Sequence, residues 1–412
     1  MKTKAKFLLL FAATLLLVLP SCKKESTPTT QSVPFNCTLY SSITTNTTLP
    51  AGIDTVTCNI EVSNNATLTI LPGTTLIFGQ GNQVQVDQGA SISAIGTSSN
   101  PIVFEGLQST AGYWNGIFIR SISVTNQFTY CTIRGAGANT GNNTFGADVS
   151  IYQGTAGFTN CTVTNSKDAG IYFYGIYSQA PYVDQAVFNT FTNNTVSGCG
   201  SYPIATFAAG AGSIGTGNTF TGSSNNSIAV QAEDASHVSV NVTLSALSVP
   251  YDFIQLTGDA GDVFDKTFTI LPGATILMGS GISLVASPIG TFVANGTSAN
   301  PITIKGEQAT AGWWGSLTVQ SPNANSFTYC NVSGGGGAAS YSSGAGQNGL
   351  IGTYMYVPTA RNITVQYCTL SNSGSAGIYV SPDAPALAPT YNTSTITSSN
   401  TFSNCNPNVQ TM

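Results

Sequence analysis

The sequence predicts an all-β fold, a solenoid in which short strands coil around a long apolar core. Of 412 residues, 42% are hydrophobic, only 7% are charged and 44 are glycine. Glycine, serine, threonine and asparagine are poor in helix interiors, so this composition disfavours long helices. Short runs of alternating apolar and polar residues recur without helical patterns between them, which is typical of strands. They return at short intervals along the whole chain, a recurrence that favours coils stacked one on the next.

The charge balance excludes two classes of protein. Lysine and arginine number 11 against 16 aspartates and glutamates, which gives a formal net charge of −5. Eleven scattered cations cannot form the basic face that nucleic acids require, so no nucleic-acid partner is expected. The hydrophobic fraction is large enough for a sizeable core, which excludes a charge-rich disordered chain.

The chain opens with a segment typical of export. Three lysines precede an apolar run over residues 7–19, which is shorter than the roughly 20 residues that span a bilayer as a helix. A basic start and a short apolar run are typical of a signal peptide. The run ends with Leu19-Pro20-Ser21-Cys22, which resembles the lipobox of bacterial lipoproteins. An ordinary secretory signal with a chance cysteine is the alternative.

The lipobox resemblance implies an address at the cell surface. In that family the cysteine is lipidated and becomes the first residue of the mature protein, so we predict a signal peptide over residues 1–21 and lipidation of Cys22. The residues after it, Lys23-Lys24-Glu25, are similar to those of many Bacteroidota lipoproteins and lack the aspartate that retains enteric lipoproteins in the inner membrane. We expect a lipid anchor in the outer membrane, with residues 22–49 as a tether and N-terminal cap.

One long unit occurs twice in the sequence. Residues 67–75 (TLTILPGTT) return at 267–275 (TFTILPGAT), and residues 96–102 return at 296–302, both shifted by 200. Three further motifs follow in the same order, with small changes of shift in the Gly/Ser-rich loops. We therefore predict two tandem homologous copies. The first copy covers residues 50–250 and the second copy covers residues 251–412.

A shorter period runs inside each copy. Phe128, Phe158 and Phe191 each begin a Phe-Thr segment at nearly even steps, and Phe220 continues the series. In a coil of strands such a series becomes a column of stacked side chains in the core. Repeated asparagines and glycines are expected at tight corners, where the backbone needs positive φ. A pair of β-sandwiches is the alternative, but it does not require the same side chain to return in successive turns.

The repeated motifs also carry a family resemblance. Thr-Leu-Thr-Ile-x-Pro-Gly-Thr, then Gly-Thr-x-x-Asn-Pro-Ile-x-Phe, then a segment with tryptophan resemble the right-handed parallel β-helix domains of Bacteroidota surface lipoproteins. The resemblance covers residues 50–405. It implies a right-handed parallel β-helix in both copies, stacked into one rod.

Eight cysteines follow Cys22, in a compartment that permits disulfides. Cys37 and Cys58 precede the first clear repeat and are the disulfide candidate, which would fix the N-terminal cap. Five others lie at matching repeat positions. We expect buried thiols there, because parallel side chains on neighbouring strands hold the Cβ atoms too far apart for an unstrained bridge. These five are Cys131, Cys161, Cys330, Cys368 and Cys405.

Aromatic side chains are the leading candidates for ligand contacts. Trp114 and Trp314 occur at matched positions of the two copies and are expected to pack in the core. Their preceding neighbours alternate to the other face, and two tyrosines around Phe173 share a face as well. Flat rings stack on sugar faces while hydroxyls and amides bond the sugar, which favours neutral glycans as ligands. The candidate ligand-binding residues are Tyr113, Trp313, Tyr172 and Tyr174.

Two shorter patterns suggest a metal and a modification. The densest acidic stretch joins the two copies and contains Asp259, Asp262 and Asp265. Oxygen ligands at this spacing are candidates for Ca²⁺, although Gly-Asp pairs are more often turns, and no other cofactor is expected. Asp54-Thr55-Val56 resembles the O-glycosylation pattern of Bacteroidota, which makes Thr55 a candidate glycosylation site.

The search for catalytic residues yields no constellation. Enzymes of the resembled fold act on acidic polysaccharides with clustered aspartates and a positioned arginine, lysine or histidine. Here the single histidine, His237, has only Glu233 and Asp234 nearby, and the cations are separated from acidic pairs in sequence. Those cations are Arg120, Arg134, Lys167, Lys266, Lys305 and Arg361. We therefore predict that the chain is not an enzyme.

The predicted function is that of a non-catalytic surface rod, adhesin-like, glycan-binding or structural. The alternative is a polysaccharide lyase or glycoside hydrolase on the same scaffold. The second copy ends shortly after Phe402, and solenoid ends need cover. Either residues 406–412 form a thin cap, or this end meets a partner. Neutral glycans and another surface protein at the C-terminal end are the predicted partners.

Overall fold

The chain is a right-handed parallel β-helix, as predicted. The computed structural model describes residues 33–138, 145–174, 187–231, 237–255, 261–337, 349–353, 362–380, 396 and 398–411. Residues 32–412 form one compact unit. The described strands of this unit lie in five sheets, and strands adjacent in a sheet come from successive coils of the chain. In the described residues, no helix is long and apolar enough to cross a membrane.

Three sheets build the N-terminal part of the solenoid. The 8-stranded sheet contains β1 (Val33–Pro34), β4 (Ile53–Val56), β7 (Thr75–Phe78), β10 (Ile102–Gly106), β13 (Cys131–Arg134), β16 (Thr162–Thr164), β19 (Thr195–Ser197) and β21 (Thr219–Thr221). The 6-stranded sheet contains β3 (Thr47–Leu49), β6 (Thr67–Ile70), β9 (Ser91–Ile95), β12 (Gln127–Thr129), β15 (Ala156–Thr159) and β18 (Phe188–Thr192).

The third of these sheets continues into the C-terminal part. This 14-stranded sheet contains β2 (Ser42–Ile43), β5 (Ile60–Val62), β8 (Gln83–Val86), β11 (Gly116–Ile119), β14 (Ala147–Tyr152), β17 (Ala169–Tyr174), β20 (Ile204–Thr206), β22 (Ile228–Gln231), β25 (Tyr251–Ile254), β28 (Thr275–Met278), β31 (Ile302–Gly306), β34 (Cys330–Ser333), β37 (Thr369–Ser371) and β39 (Thr401–Ser403).

Two further sheets complete the C-terminal part. The 7-stranded sheet contains β23 (His237–Val238), β26 (Gly261–Phe264), β29 (Ser283–Ala286), β32 (Leu317–Val319), β35 (Gly349–Thr353), β38 (Ala376–Val380) and β40 (Val409–Thr411). The 5-stranded sheet contains β24 (Val242–Leu244), β27 (Thr267–Ile270), β30 (Thr291–Asn295), β33 (Ala324–Thr328) and β36 (Asn362–Gln366). Among the elements that the structure describes are two short helices between strands, α1 (Cys37–Tyr40) and α2 (Ala208–Gly212).

The predicted phenylalanine column is confirmed. Phe128 pairs in register with Phe158, and Phe158 with Phe191, on consecutive strands of the 6-stranded sheet. Their ring centroids are 5.0 and 5.9 Å apart, and all three rings are buried. Phe220 departs from the predicted series, because it lies on β21 of the 8-stranded sheet, opposite Val196. The helix α2 precedes β21 in that coil, so the next Phe-Thr segment of the series falls on a different face.

The buried thiols follow the same register, with one correction. Cys131 begins β13, and Cys161 directly precedes the adjacent strand β16. Cys330 begins β34, and Cys368 directly precedes β37 in the same way. All four thiols are free and buried. Cys405 is free and half-buried but does not continue the column. Asn400 occupies the next place instead, and its side-chain oxygen accepts a hydrogen bond from the Cys368 backbone N–H at 2.8 Å.

The repeated sequence moves by one face between the two copies. β7 lies in the 8-stranded sheet, but β28, which carries the same motif, lies in the 14-stranded sheet. β8 lies in the 14-stranded sheet, whereas its counterpart β29 lies in the 7-stranded sheet. β6 lies in the 6-stranded sheet, and its counterpart β27 lies in the 5-stranded sheet. The outer surface of the 14-stranded sheet is therefore built from different parts of the repeat along its length.

Candidate functional site

A column of polar and aromatic side chains crosses the outer face of the 14-stranded sheet. In β8, β11 and β14 the paired residues Val86, Ile119 and Ile151 point into the core. Because side chains alternate along a strand, the residues that follow them point outward. Asp87, Arg120 and Tyr152 therefore lie side by side on three successive coils. Tyr152 pairs in register with Tyr174 of β17, which extends the column to a fourth coil.

The column lines a groove with a volume of about 560 Å³. The guanidinium carbon of Arg120 lies 5.3 Å from the ring centroid of Tyr152, within cation–π range. The rings of Tyr152 and Tyr174 are 5.1 Å apart. In the described part of the chain no carboxylate lies within ion-pair distance of Arg120. Its charge is therefore available to a ligand. The lining residues are Asp87, Gln88, Arg120, Ile122, Tyr152 and Gln153.

A chain of amide hydrogen bonds orients Asp87. The side chain of Asn115 donates to Gln83 at 3.4 Å, Gln83 donates to Gln85 at 3.2 Å, and Gln85 donates to Asp87 Oδ1 at 2.8 Å. Glutamine on the outer face of β8 thus holds the carboxylate toward the groove. This arrangement leaves Asp87 half-buried beside the Arg120 strand.

A second groove on the 8-stranded sheet differs in its charge. Its volume is about 590 Å³, and it contains Glu105 and Arg134. Arg134 is ion-paired with Glu105, and its Nε donates to Glu105 Oε2 at 2.8 Å. Because this guanidinium already has a carboxylate partner, the groove offers less to an anionic ligand than the groove around Arg120.

The second copy shows that the fold does not require the charged column. The backbone N–H of Arg120 bonds the Val86 carbonyl at 2.8 Å, and the N–H of Gln320 bonds the Ala286 carbonyl at 2.9 Å in the same place of the repeat. The position of Asp87 is likewise taken by Ser287. In the second copy the positions of Asp87 and Arg120 are therefore occupied by the uncharged residues Ser287 and Gln320.

Buried carboxyls lie further along the 14-stranded sheet. Asp252 on β25 is 6% exposed and accepts a hydrogen bond from Ser227 Oγ at 3.3 Å. Burial, reinforced by the neighbouring Glu307 carboxyl, raises the pKa of Asp252 to about 7. Asp148 on β14 is fully buried and accepts a hydrogen bond from the Ala136 N–H at 2.7 Å. Burial raises the pKa of Asp148 well above its ordinary value.

The predicted aromatic residues are divided by the structure. Tyr174 belongs to the groove column, whereas Tyr172 is 3% exposed and packs in a small apolar cluster outside the sheet, edge-on to Phe145 at 5.2 Å. Burial removes Tyr172 from direct ligand contact and makes it a support for Tyr174, whose ring is 5.3 Å away. Tyr113 and Trp313 are half-buried at the turns before β11 and β32, away from the groove.

The tryptophans behave as expected for core residues. Trp114 and Trp314 are fully buried. Their indole N–H groups donate to the carbonyls of Arg134 and Ser333, both at 2.9 Å. The matched partners in the two copies explain why tryptophan recurs there.

The remaining predicted sites are scattered. Cys37 and Cys58 form a disulfide with their Cα atoms 6.0 Å apart, and Thr55 lies half-buried on β4. Cys22 and Asp259 lie outside the described residues. Asp262 is buried on β26, and Asp265 pairs with His237 Nδ1 at 2.8 Å.

The described side chains do not fit a calcium site. No group of three His, Cys, Asp or Glu side chains within the described ranges could hold a metal ion. The groove itself has one lining carboxylate, that of Asp87, whereas Ca²⁺ takes six to eight oxygen ligands.

Sequence reasoning noted Arg120 but missed its partners. Asp87 lies one coil before Arg120 along the chain, and Tyr152 lies one coil after it. Aligning the apolar strand ends at Val86, Ile119 and Ile151 would have brought the three together. Separation along the chain is thus no measure of separation in a solenoid.

One comparison with known proteins gives a match. Residues 41–153 match a family model described as a pectate-lyase-like β-helix domain, and these residues include β8, β11 and β14. No significant match was found among curated proteins or among solved structures. The match corrects the expectation that the chain is not an enzyme, since the description points toward polysaccharide lyases.

Proposed function

We propose that this protein binds an acidic polysaccharide across the outer face of the 14-stranded sheet, centred on Asp87, Arg120 and Tyr152. The observation that carries the proposal is the column itself. It places a guanidinium without a carboxylate partner in the described structure over a tyrosine ring, in a groove of about 560 Å³. A guanidinium binds a carboxylate through two parallel hydrogen bonds. The pectate-lyase-like match over the same strands supports a polysaccharide as the ligand.

The neighbouring side chains suit an extended sugar chain. A polysaccharide that follows the column crosses successive coils, about 4.8 Å apart, and meets Tyr152 and Tyr174 in turn. Sugar rings stack on tyrosine faces, while the exposed amide of Gln88 bonds hydroxyl groups. The lipobox resemblance supports presentation of this surface on the outer membrane through Cys22.

The family match favours a second candidate function, cleavage of the bound chain by elimination. Arg120 neutralises the sugar carboxylate, which acidifies the C5–H bond beside it. Asp87 is the groove carboxylate that accepts this proton. The C4–O bond then breaks as a double bond forms between C4 and C5, and the leaving oxygen takes a proton from water. The products are an unsaturated uronide and a shortened chain.

The test replaces the two charges with the residues found in the second copy. We expect Arg120→Gln and Asp87→Ser to fold normally, since Gln320 and Ser287 occupy the same places. Affinity for polygalacturonate, measured by affinity electrophoresis, should fall about tenfold or more for Arg120→Gln, the loss expected for one charge-assisted contact. Unchanged affinity in a normally folded Arg120→Gln variant would contradict the proposal.

The same proteins test cleavage. Elimination creates a conjugated double bond, so the ultraviolet absorbance of a polyuronate solution should rise with the wild-type protein and stay flat with Asp87→Ser. A wild-type protein that binds polyuronates without any such rise would remove the elimination step and leave binding in place. The two outcomes separate the two functions.

A further inference from the structure

One corner of the repeat holds tyrosines in a backbone conformation that is unfavourable for them. This corner lies between the 6-stranded and 8-stranded sheets in the first copy and between the 5-stranded and 14-stranded sheets in the second. Tyr130, Tyr329 and Tyr367 have φ of 48°, 49° and 58°, in the left-handed region. Asn160 and Asn193, with φ of 54° and 57°, occupy the same corner on the coils after Tyr130. The backbone N–H of each of these residues donates a hydrogen bond to a carbonyl of the next coil. For example, Tyr130 donates to Thr159 and Tyr329 donates to Gln366.

Asparagine is the ordinary residue for such a corner. It tolerates the left-handed region, whereas a bulky side chain there is strained. Strained residues persist only where the surrounding structure holds them in place, and they cluster at functional sites. The sequence motifs make Tyr367 the counterpart of Asn160, because each directly precedes a column cysteine, Cys368 or Cys161. The second copy therefore has a strained tyrosine, Tyr367, at the position where the first copy has an asparagine, Asn160.

The two tyrosines of the second copy form an exposed stack. The rings of Tyr329 and Tyr367 are 5.0 Å apart with planes inclined by 20°, and Tyr367 is 59% exposed. Within the described residues, Tyr130 of the first copy has no such ring beside it, since Asn160 follows in the next coil. The pair is thus a flat aromatic surface open to solvent, present in one copy only.

The polar groups that the structure describes around the stack are uncharged. Thr328 and Gln366 precede the two tyrosines on adjacent strands, in register with Asn295. Thr328 Oγ1 donates to Asn295 Oδ1 at 3.1 Å. Residues 295–300, 328–329, 366–367 and 398–400 contain no charged side chain. Among these described residues an ionic ligand finds no counter-charge, whereas hydroxyl groups meet amide and hydroxyl partners.

We propose that Tyr329 and Tyr367 form a second sugar-binding site, which stacks a neutral saccharide ring on the exposed face of Tyr367. The flat apolar face of a pyranose matches an aromatic ring, and the neighbouring amides and hydroxyls bond its edge. The site does not depend on the acidic-polysaccharide groove around Arg120. It lies at the corner between β36 and β37, on coils outside the segment that matches the pectate-lyase-like domain.

The test uses the first copy as its template. Tyr367→Asn installs the residue of the equivalent corner, so we expect an unchanged or higher melting temperature. Binding to soluble neutral polysaccharides (a β-glucan, a xyloglucan and a galactomannan) should weaken about tenfold, as expected for loss of one aromatic stack. Tyr130→Asn is the matched control, with the same chemical change at an unstacked corner, and should bind these polymers as the wild type does.

Two further outcomes decide the proposal. Asn160→Tyr rebuilds the stack beside Tyr130 and should strengthen binding to the same neutral polymers. If Tyr367→Asn instead lowers the melting temperature and leaves neutral binding intact, the stack is structural and the proposal is wrong. A wild-type protein that binds none of the neutral polymers also overturns it. Retained polygalacturonate binding by Tyr367→Asn distinguishes this site from the Arg120 groove.

Discussion

At the scale of single residues, the burial of Asp252 on the outer face of a sheet makes the stability of the fold depend on pH. The side chain points outward from the 14-stranded sheet, yet only 6% of the residue is exposed. Burial disfavours the charged form, and the nearby Glu307 carboxyl adds to this, so the pKa rises from 3.8 to about 7. The folded protein therefore holds this proton more tightly than the unfolded chain.

A pH dependence follows from that difference. The raised pKa stabilises the folded state fully below about pH 4, and the contribution is lost as the pH rises through about 7. We expect Asp252→Asn, which keeps the shape without the titrating proton, to melt several degrees higher than the wild type at pH 8. Thermal melts between pH 4 and 8 measure the difference.

The control for this experiment lies on the same sheet. Glu61 is exposed on β5, so Glu61→Gln should leave the pH profile of melting unchanged. Equal pH profiles for the wild type and Asp252→Asn would show that Asp252 titrates normally in the folded protein.

At the scale of strands and turns, buried asparagines tie successive coils together. Asn126 Oδ1 accepts from the Ile92 N–H at 3.1 Å, and its Nδ2 donates to the carbonyls of Ser121 and Thr155, both at 3.1 Å. Asn325 repeats this in the second copy, where it accepts from the Phe292 N–H at 2.8 Å and donates to the Asn362 carbonyl at 3.0 Å. Each amide thus bridges three coils, Asn126 directly before β12 and Asn325 near the start of β33.

Removing one of these amides leaves buried backbone groups without partners. Each unsatisfied group costs about 1–3 kcal/mol, so we expect Asn126→Ala to lower the free energy of unfolding by about 3 kcal/mol or more. Denaturant titration followed by circular dichroism measures it. Asn225→Ala, at an exposed turn position, should change stability by less than about 0.5 kcal/mol. Similar losses for both variants would show that the bridging bonds are not what stabilises the turn.

The asparagines also show what strand-level patterns can predict. Positive φ was expected for asparagine at tight corners, and Asn160 and Asn193 confirm it. The bridging role of Asn126 was not predicted. It depends on the carbonyls of Ser121 and Thr155, one in the same turn and one in the next coil, and no local pattern reveals which carbonyls a turn leaves open.

At the scale of the whole molecule, one sheet joins the two copies. Asp252 of β25 pairs with Ala229 of β22 on one side and with Leu277 of β28 on the other, all in the 14-stranded sheet. One apolar core runs with it, from Phe35 to Ile396. In a solenoid each coil contacts mainly its neighbours, so an unbroken sheet and core couple the two copies as strongly as coils within a copy.

This continuity predicts a shared unfolding transition. Trp114 reports on the first copy, and Trp313 and Trp314 report on the second, with no other tryptophan in the chain. We expect the fluorescence melting midpoint of a Trp114→Phe variant to match that of a Trp313→Phe/Trp314→Phe variant, once each is corrected for its change in stability measured by circular dichroism. Two separate midpoints would mean that the copies unfold independently.

The sequence by itself determined the type of solenoid and the content of its core. Alternating runs and returning motifs specify strands that stack in parallel, because each coil must bury the same face against the last. This is why the column of Phe128, Phe158 and Phe191, the buried thiols and the packed Trp114 and Trp314 could be predicted. The sequence predicts only part of the site. It predicts Tyr174 as a ligand contact, whereas Arg120 stands in the sequence as an isolated cation.

Only the tertiary structure decided which distant side chains meet. Loops of variable length change the sequence step from coil to coil, so the register of Asp87, Arg120 and Tyr152 follows from hydrogen bonding between strands and not from any fixed spacing. The move of the repeat by one face likewise has no local signal, because a strand that is buried on one side fits any face of the solenoid. The core is buried equally well in every such arrangement. What the arrangement changes is which side chains meet on the outer surface.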